Sequence, residues 1–165
     1  MKFVVLRNNL ENALGAIERA VGASSNLHTL RHVLLTVTEP QVVVSATNLE
    51  FAAEAVVSGK VIERGGCSVP AATFIPLVKN LTSERVTIEW RRQVLTITTD
   101  NYEASIPGGD HEEFPLIPVV EPAVGTVTLD GGPFLEGLGS VVGSAQYSEV
   151  RPEISGVNLA LSTDN

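Results

Sequence analysis

One cysteine, Cys67, is the only thiol in the 165 residues of this chain. That excludes an intrachain disulfide and fits a reducing compartment. Charged residues are few, 18% against 44% apolar, which excludes a disordered chain and predicts a globular one of about one full domain plus a remainder. No apolar run approaches the roughly 18 residues of a membrane span. After Met1-Lys2 only Phe3-Val4-Val5-Leu6 precede Arg7. That is too short for a secretory leader core of roughly 7 to 15 residues, so a cytoplasmic location without membrane contact is expected. Positive charge is scarce: 11 basic against 19 acidic side chains leave a formal net of −8. Such a balance argues against tight nonspecific binding along a phosphate backbone, though a local basic face on an acidic exterior stays compatible with it.

The chain also lacks the spacings of common catalytic sites. Gly139-Ser140-Val141-Val142-Gly143 is not a nucleophile elbow, and no glycine loop matches a phosphate cradle. Cys67 opens a strand with no basic residue beside it, which suits an inert buried thiol. His28 and His32 stand four apart, and with His111, Glu112 and Glu113 they could be read as ligands of a metal-dependent hydrolase. Their places in a loop entering a strand and in a linker argue against such a site.

What is present is a pattern that recurs. Lys2–Leu6 reads as a strand. Leu10, Leu14, Ile17 and Val21, with Ala13 and Ala20, then form a helical stripe over about Asn8–Gly22, with Asn8 or Asn9 as cap. Leu30–Thr38 reads as a strand whose Val33-Leu34-Leu35 suits a largely covered sheet. Gln41–Val57 reads as two strands around Thr47-Asn48. A hairpin alone is marginal in water, so the helix should cover it. The unit starts again at Cys67-Ser68-Val69. Pro70 introduces a helix with Phe74, Leu77, Val78 and Leu81 on one face. Pro76 would interrupt that helix unless it begins near Thr73 or Phe74. Arg85–Trp90 and Val94–Thr98 follow as strands joined at Arg91-Arg92, and Tyr102–Ile106 closes the set. Residues 107–122 read as a linker carrying the acidic run Asp110–Glu113. A third start follows: a strand at Thr126–Leu129, Asp130 as a cap, a stripe of Phe134, Leu138, Val141, Val142 and Ala145, and a strand over Ile154–Leu161. The fold class expected is α+β, built of repeated βαβββ units.

In this order, several short matches resemble the N-terminal part of the bacterial DNA polymerase III beta subunit, the sliding-clamp family. They are Met1-Lys2-Phe3, Leu10 with Ala13-Leu14, Leu30 through Val33-Leu34-Leu35, Ala46-Thr47-Asn48-Leu49-Glu50, Val69-Pro70-Ala71, Phe114-Pro115, Val150-Arg151-Pro152 and Gly156-Val157. The resemblance implies the DNA-clamp processivity fold, with residues 1–118 as a first domain, 119–123 as a linker and 124–165 as an incomplete second domain. It implies a ring of two head-to-tail protomers around duplex DNA, helices toward the hole and sheets outside. The ring would tether the replicative DNA polymerase and meet clamp loader subunits, with no catalytic activity, cofactor or metal of its own. A truncated clamp-like protein that binds without encircling DNA is the alternative.

Residue roles follow from the same resemblance. Arg19, Lys79 and Arg151, with Arg7, would touch DNA phosphates; residue type alone favours ordinary solvated surface charge instead. Ser24 stands where clamps can carry a basic residue, so one such contact is missing. Tyr102, Ala104 and Ile106 would line the edge strand that closes the ring; alternation alone also allows them to face their own core. Ile154 would form one wall of a pocket for partner peptides. The unfinished second domain predicts apolar strands without partners, and hence self-association.

Overall fold

Between Met1 and Pro118, two sets of elements follow one another in the same order. The first is β1 (Lys2–Leu6), α1 (Arg7–Ile17), β2 (His32–Thr38), β3 (Gln41–Thr47), β4 (Ala52–Val57) and β5 (Gly59–Glu63). The second is β6 (Gly65–Pro70), α2 (Ala71–Asn80), β7 (Arg85–Arg91), β8 (Val94–Thr98), β9 (Glu103–Pro107) and β10 (Gly109–Asp110). The computed structural model describes residues 1–22, 27–117, 127–145, 148 and 150–161. Ser24, the linker 119–123 and Thr126 lie outside the described residues.

The two sets exchange their first strands. One antiparallel sheet runs β5-β1-β7-β8-β9 and the other β10-β6-β2-β3-β4. Thus β1 of the first set extends the meander of the second, and β6 of the second extends the meander of the first. Position by position the sheets are equivalent, which relates the modules by a pseudo-dyad. Two glycines carry the same signature. A Cβ built on Gly59 would stand 2.5 Å from Val5 Cγ1 and 2.7 Å from the Val4 carbonyl. One built on Gly108 would press into the Ser68 carbonyl and stand 2.9 Å from Val69 Cγ1. Val5 and Val69 each lie two residues before their helix, so the same close approach occurs at both symmetry-related places.

The core follows from the two periodicities. Along α1, Leu10, Ala13, Leu14 and Ile17 are buried, at the spacing of one helix face. Along α2 the buried set is Ala71, Phe74, Ile75 and Val78, while Leu77 is only half-buried. Alternate strand residues join them: Phe3 and Val5, Val33, Leu35 and Val37, Val86 and Ile88, Leu95 and Ile97. Helix α1 lies over β3 and β4 and packs against α2. Both sheets and both helices therefore share one core.

Several expectations are corrected. Leu34 is half-buried between buried Val33 and Leu35, so β2 is covered on one face rather than both. The N-cap of α1 is Leu6, without a side-chain hydrogen bond; Asn8 and Asn9 sit inside the first turn. Helix α2 begins at Ala71 with Pro76 inside it. Pro76 and Ala72 are both exposed, so water can serve the Ala72 carbonyl that Pro76 leaves without a donor. The β7–β8 turn centres on Arg92 and Gln93, at φ 51° and 63°. The hairpin at Asn48 is held by its own polar side chains: Asn48 Oδ1 accepts from the Phe51 N–H at 2.7 Å, and Thr47 Oγ1 donates to the Phe51 carbonyl at 2.9 Å.

Residues 107–117 are not a free linker. Gly109 and Asp110 pair with Ser68 and Cys67, a 3₁₀ turn spans His111–Glu113, and Phe114 is buried. The second compact unit, Val119–Asn165, contains α3 (Gly131–Val142), whose Asp130 cap accepts the Gly132 N–H at 3.1 Å. No described residue of this unit is buried. The strand expected over Ile154–Leu161 is not formed: a 3₁₀ turn spans Pro152–Ile154 and residues 157–161 are irregular. A lone apolar segment has no ladder to join, and alternation cannot supply one.

Two outcomes test this architecture. Gly59→Ala and Gly108→Ala should each cost about 1–3 kcal/mol by overpacking, and by similar amounts because the sites are equivalent; urea unfolding reads both. Gln93→Gly should raise the melting temperature, by about 0.5–1 kcal/mol of added stability, because glycine adopts φ > 0 without the Cβ penalty.

Candidate nucleic-acid interface

The residues singled out as phosphate contacts sit on or beside helices. Arg19 is exposed in the 3₁₀ turn Glu18–Ala20 that continues α1, and it makes no ion pair with a described residue. Lys79 lies in the last turn of α2, its Nζ 2.8 Å from Glu18 Oε2. That pair ties the end of α1 to α2 and brings Lys79 to the segment that carries Arg19. Arg7 is spent locally: Nη1 is 2.7 Å from Glu11 Oε2, and Nη2 donates to Asn8 Oδ1 at 2.6 Å. Arg151 is exposed in the second unit, where its N–H donates to Ser148 Oγ at 3.0 Å.

Charge is unevenly distributed. Segments 7–20 and 71–80 carry three basic and two acidic side chains, a net of +1, in a chain whose net is −8. The exposed helix residues are otherwise small or neutral: Asn8, Asn12, Gly15, Ala16, Ala72, Thr73, Pro76 and Asn80. Such a face repels phosphate less than the rest of the molecule. Sequence reasoning missed the Glu18 partner of Lys79. Glu18 stood on the polar face of α1, but nothing in a sequence marks a contact 61 positions apart.

Strand β9 is the outer strand of its sheet. The Thr99 N–H bonds the Tyr102 carbonyl at 2.8 Å, and the Gly108 N–H bonds the Gln93 carbonyl at 3.1 Å. Alternation between these bonds turns the backbone of Ala104 and Ile106 toward β8, and that of Glu103, Ser105 and Pro107 outward. Ile106, 3% exposed, is committed to this unit's own core; Ala104 is half-buried and Tyr102 is 47% exposed. What β9 presents is therefore a backbone edge with Tyr102 at its head. Ile154 is 46% exposed.

The groups considered for metal or thiol chemistry are otherwise occupied. His32 Nδ1 lies 3.1 Å from Ser68 Oγ, and desolvation, then the charge of His28, lowers its pKa below the ordinary 6.5. Asp110 is held below the usual carboxylate range, first by the Glu112 N–H that it accepts and further by His111, 2.7 Å away. Among the described residues, no group of three or more His, Cys, Asp or Glu is placed to hold a metal. Burial pushes the Cys67 thiol up to about 12.

Comparison with known proteins adds the family. The family model described as DNA polymerase III beta subunit, N-terminal domain, matches residues 1–118. The chain belongs to that family. Among curated relatives, the beta sliding clamp of Chlamydia muridarum is 28% identical over 98% of this chain and 44% of its own length. That of Chlamydia pneumoniae is 32% identical over 75% of this chain and 34% of its own length. The chain thus spans less than half the length of these relatives. A Helicobacter pylori beta clamp in complex with 3,4-difluorobenzamide superposes with a TM-score of 0.81 at 19% identity, covering 88% of this chain and 40% of that one. The same clamp bound to a DNA ligase peptide gives 0.79 at 19% identity, over 88% and 41%. These likenesses agree with the α+β architecture of two antiparallel sheets. No helix among the described residues is long and apolar enough to cross a membrane.

Two measurements follow from the buried groups. Cys67 should resist a thiol reagent such as dithionitrobenzoate in the native chain and react in full in denaturant; fast native labelling would contradict its burial. His32 binds a proton more weakly folded than unfolded, so stability is intact above about pH 6.5 and is lost as the pH falls below it. His32→Asn should shrink the fall in melting temperature between about pH 7 and 5.5.

Proposed function

We infer that this chain is part of a noncatalytic DNA sliding clamp, with residues 1–118 as its first domain and 124–165 as part of a second. In this reading the clamp encircles duplex DNA as a head-to-tail pair of protomers and holds the replicative polymerase to its template. The observation that carries it is the pseudo-dyad pair of modules, whose helix segments carry a net charge of +1 in a chain whose net is −8. Arg19 and Lys79 lead the list of phosphate contacts, Arg151 adds one from the second unit, and Arg7 ranks last because Glu11 already neutralises it. Contacts so few and so partly paired suit a surface that must let DNA slide.

The edge of β9 supports the ring in the same reading: outward N–H and C=O groups invite a strand from another protomer. Polymerase, clamp loader and other replication proteins would reach the clamp through short peptides, as the DNA ligase peptide reaches the Helicobacter pylori clamp. Ile154 would supply one wall of that pocket. Location in the cytoplasm accompanies this role.

Fluorescence anisotropy with a labelled duplex tests the phosphate contacts. With two phosphates neutralised, affinity should fall about tenfold between roughly 50 and 200 mM salt. Arg19→Glu combined with Lys79→Glu should weaken binding and flatten that dependence, and Arg151→Ala should weaken it less. An affinity unchanged in both variants would favour the alternative, a clamp-like binding protein that does not encircle DNA.

A further inference from the structure

The outer face of the first sheet carries a surface that none of these roles uses. Registration places Val4 opposite Lys60 and Thr87, and Leu6 opposite Arg85. The side chains of Val4, Leu6, Lys60, Ile62 and Arg85 thus share the face away from the core. Leu6 and Ile62 are 41% and 54% exposed. With Asn9 at its end, this patch forms a groove of about 610 Å³. Its aliphatic floor is flanked by one cation on β5 and another on β7. Neither Lys60 nor Arg85 makes an ion pair with a described residue. At the other end of the same face the charges are matched: Lys2 with Glu89 at 2.8 Å, and Arg91 with both Glu89 and Glu63.

The pseudo-dyad shows what such a face accepts. On the second sheet the equivalents of Lys2, Val4 and Lys60 are Gly66, Ser68 and Gly109. There the chain covers itself. The ring of His111 lies over Gly66, so close that a Cβ there would stand 2.7 Å from its Cγ. Ser68 is 1% exposed, and a Cβ on Gly109 would stand 3.6 Å from Glu113 Oε2. Phe114, which follows directly and whose N–H bonds the His111 carbonyl at 3.2 Å, is 6% exposed and outside the main core cluster. The covering stretch, Asp110-His111-Glu112-Glu113-Phe114, is acidic with one large apolar side chain. The first sheet has no such stretch, because β5 ends at Glu63 and β6 begins at Gly65.

We propose that this outer face is a docking surface for an acidic segment of another protein, its apolar side chain laid on Val4, Leu6 and Ile62 and its carboxylates on Lys60 and Arg85. Paired charges at the far end of the face confine the segment to the groove, and the cations on both sides of the floor select carboxylates flanking an apolar residue.

The probe is the acetylated and amidated peptide Glu-Glu-Phe-Pro-Leu, the sequence of residues 112–116, titrated into the ¹⁵N-labelled chain. Its counterpart Lys-Lys-Phe-Pro-Leu serves as control. Saturable shifts of the amides of residues 4–6, 59–62 and 85–87 are expected with the acidic peptide. The lysine peptide should bind at least fivefold more weakly, and so should the acidic peptide to Lys60→Glu/Arg85→Glu, whose spectrum reports that it is folded. No saturable shift at these amides, equal binding of the two peptides, or undiminished binding to the double variant would overturn the proposal. So would shifts of the same amides with protein concentration alone, which would assign the face to a second copy of the chain.

Discussion

Everything in the first unit depends on the mutual donation of β1 and β6. A three-stranded meander with one apolar face is poorly stable alone, and each of the two here gains its fourth strand from the other module. Neither sheet can be complete while the other module is unfolded. The inner faces of both sheets and the stripes of both helices merge into one core, so the unit should unfold as a single cooperative block. The close approaches at Gly59 and Gly108 show how tightly the donated strands are gripped, since in each case β1 or β6 lies where a side chain would otherwise stand.

The same donation fixes where charge can go. With the sheet interiors and helix stripes spent on the core, the solvent faces of the helices and the outward faces of the sheets divide the polar residues between them. Most carboxylates fall to the strands and turns, and the helices keep Asn, Gly, Ala and Thr with a few cations. A strongly basic helix face would hold a polyanion in place; a weakly basic one, with Lys79 already leaning on Glu18, gives shallow attraction that varies little from one phosphate to the next.

Much of this was legible from spacing alone. The i, i+3, i+4 recurrence in α1, the alternation in β7 and β8, and the polar break at Asn48 each reflect a local rule; the strands and the break stand where the rule put them, while α1 ends at Ile17 and gives way to a 3₁₀ turn short of the expected Gly22. Where tertiary structure decided, reading the chain fell short. The acidic stretch after β9 reads as linker by composition, yet it pairs through β10 and buries Phe114, because the outer face of β6 needed a cover. Ile154–Leu161 has strand composition and no ladder to join. Arg19 and Lys79 could be picked as solvated cations on helices, but not the ion pair that joins one of them to Glu18. Ile106 shows the limit of alternation: its period was right, and only the packed core reveals which face is inside.

The outward edge of β9 has one more property. Glu103 and Ser105 can donate to an incoming strand and Pro107 cannot, so a neighbour zipped onto this edge runs out of donors at a fixed residue. Slippage by two positions would set a lone carbonyl against the proline ring instead of an amide. The edge therefore carries its own stop mark, which disfavours the open-ended stacking that bare strand edges invite.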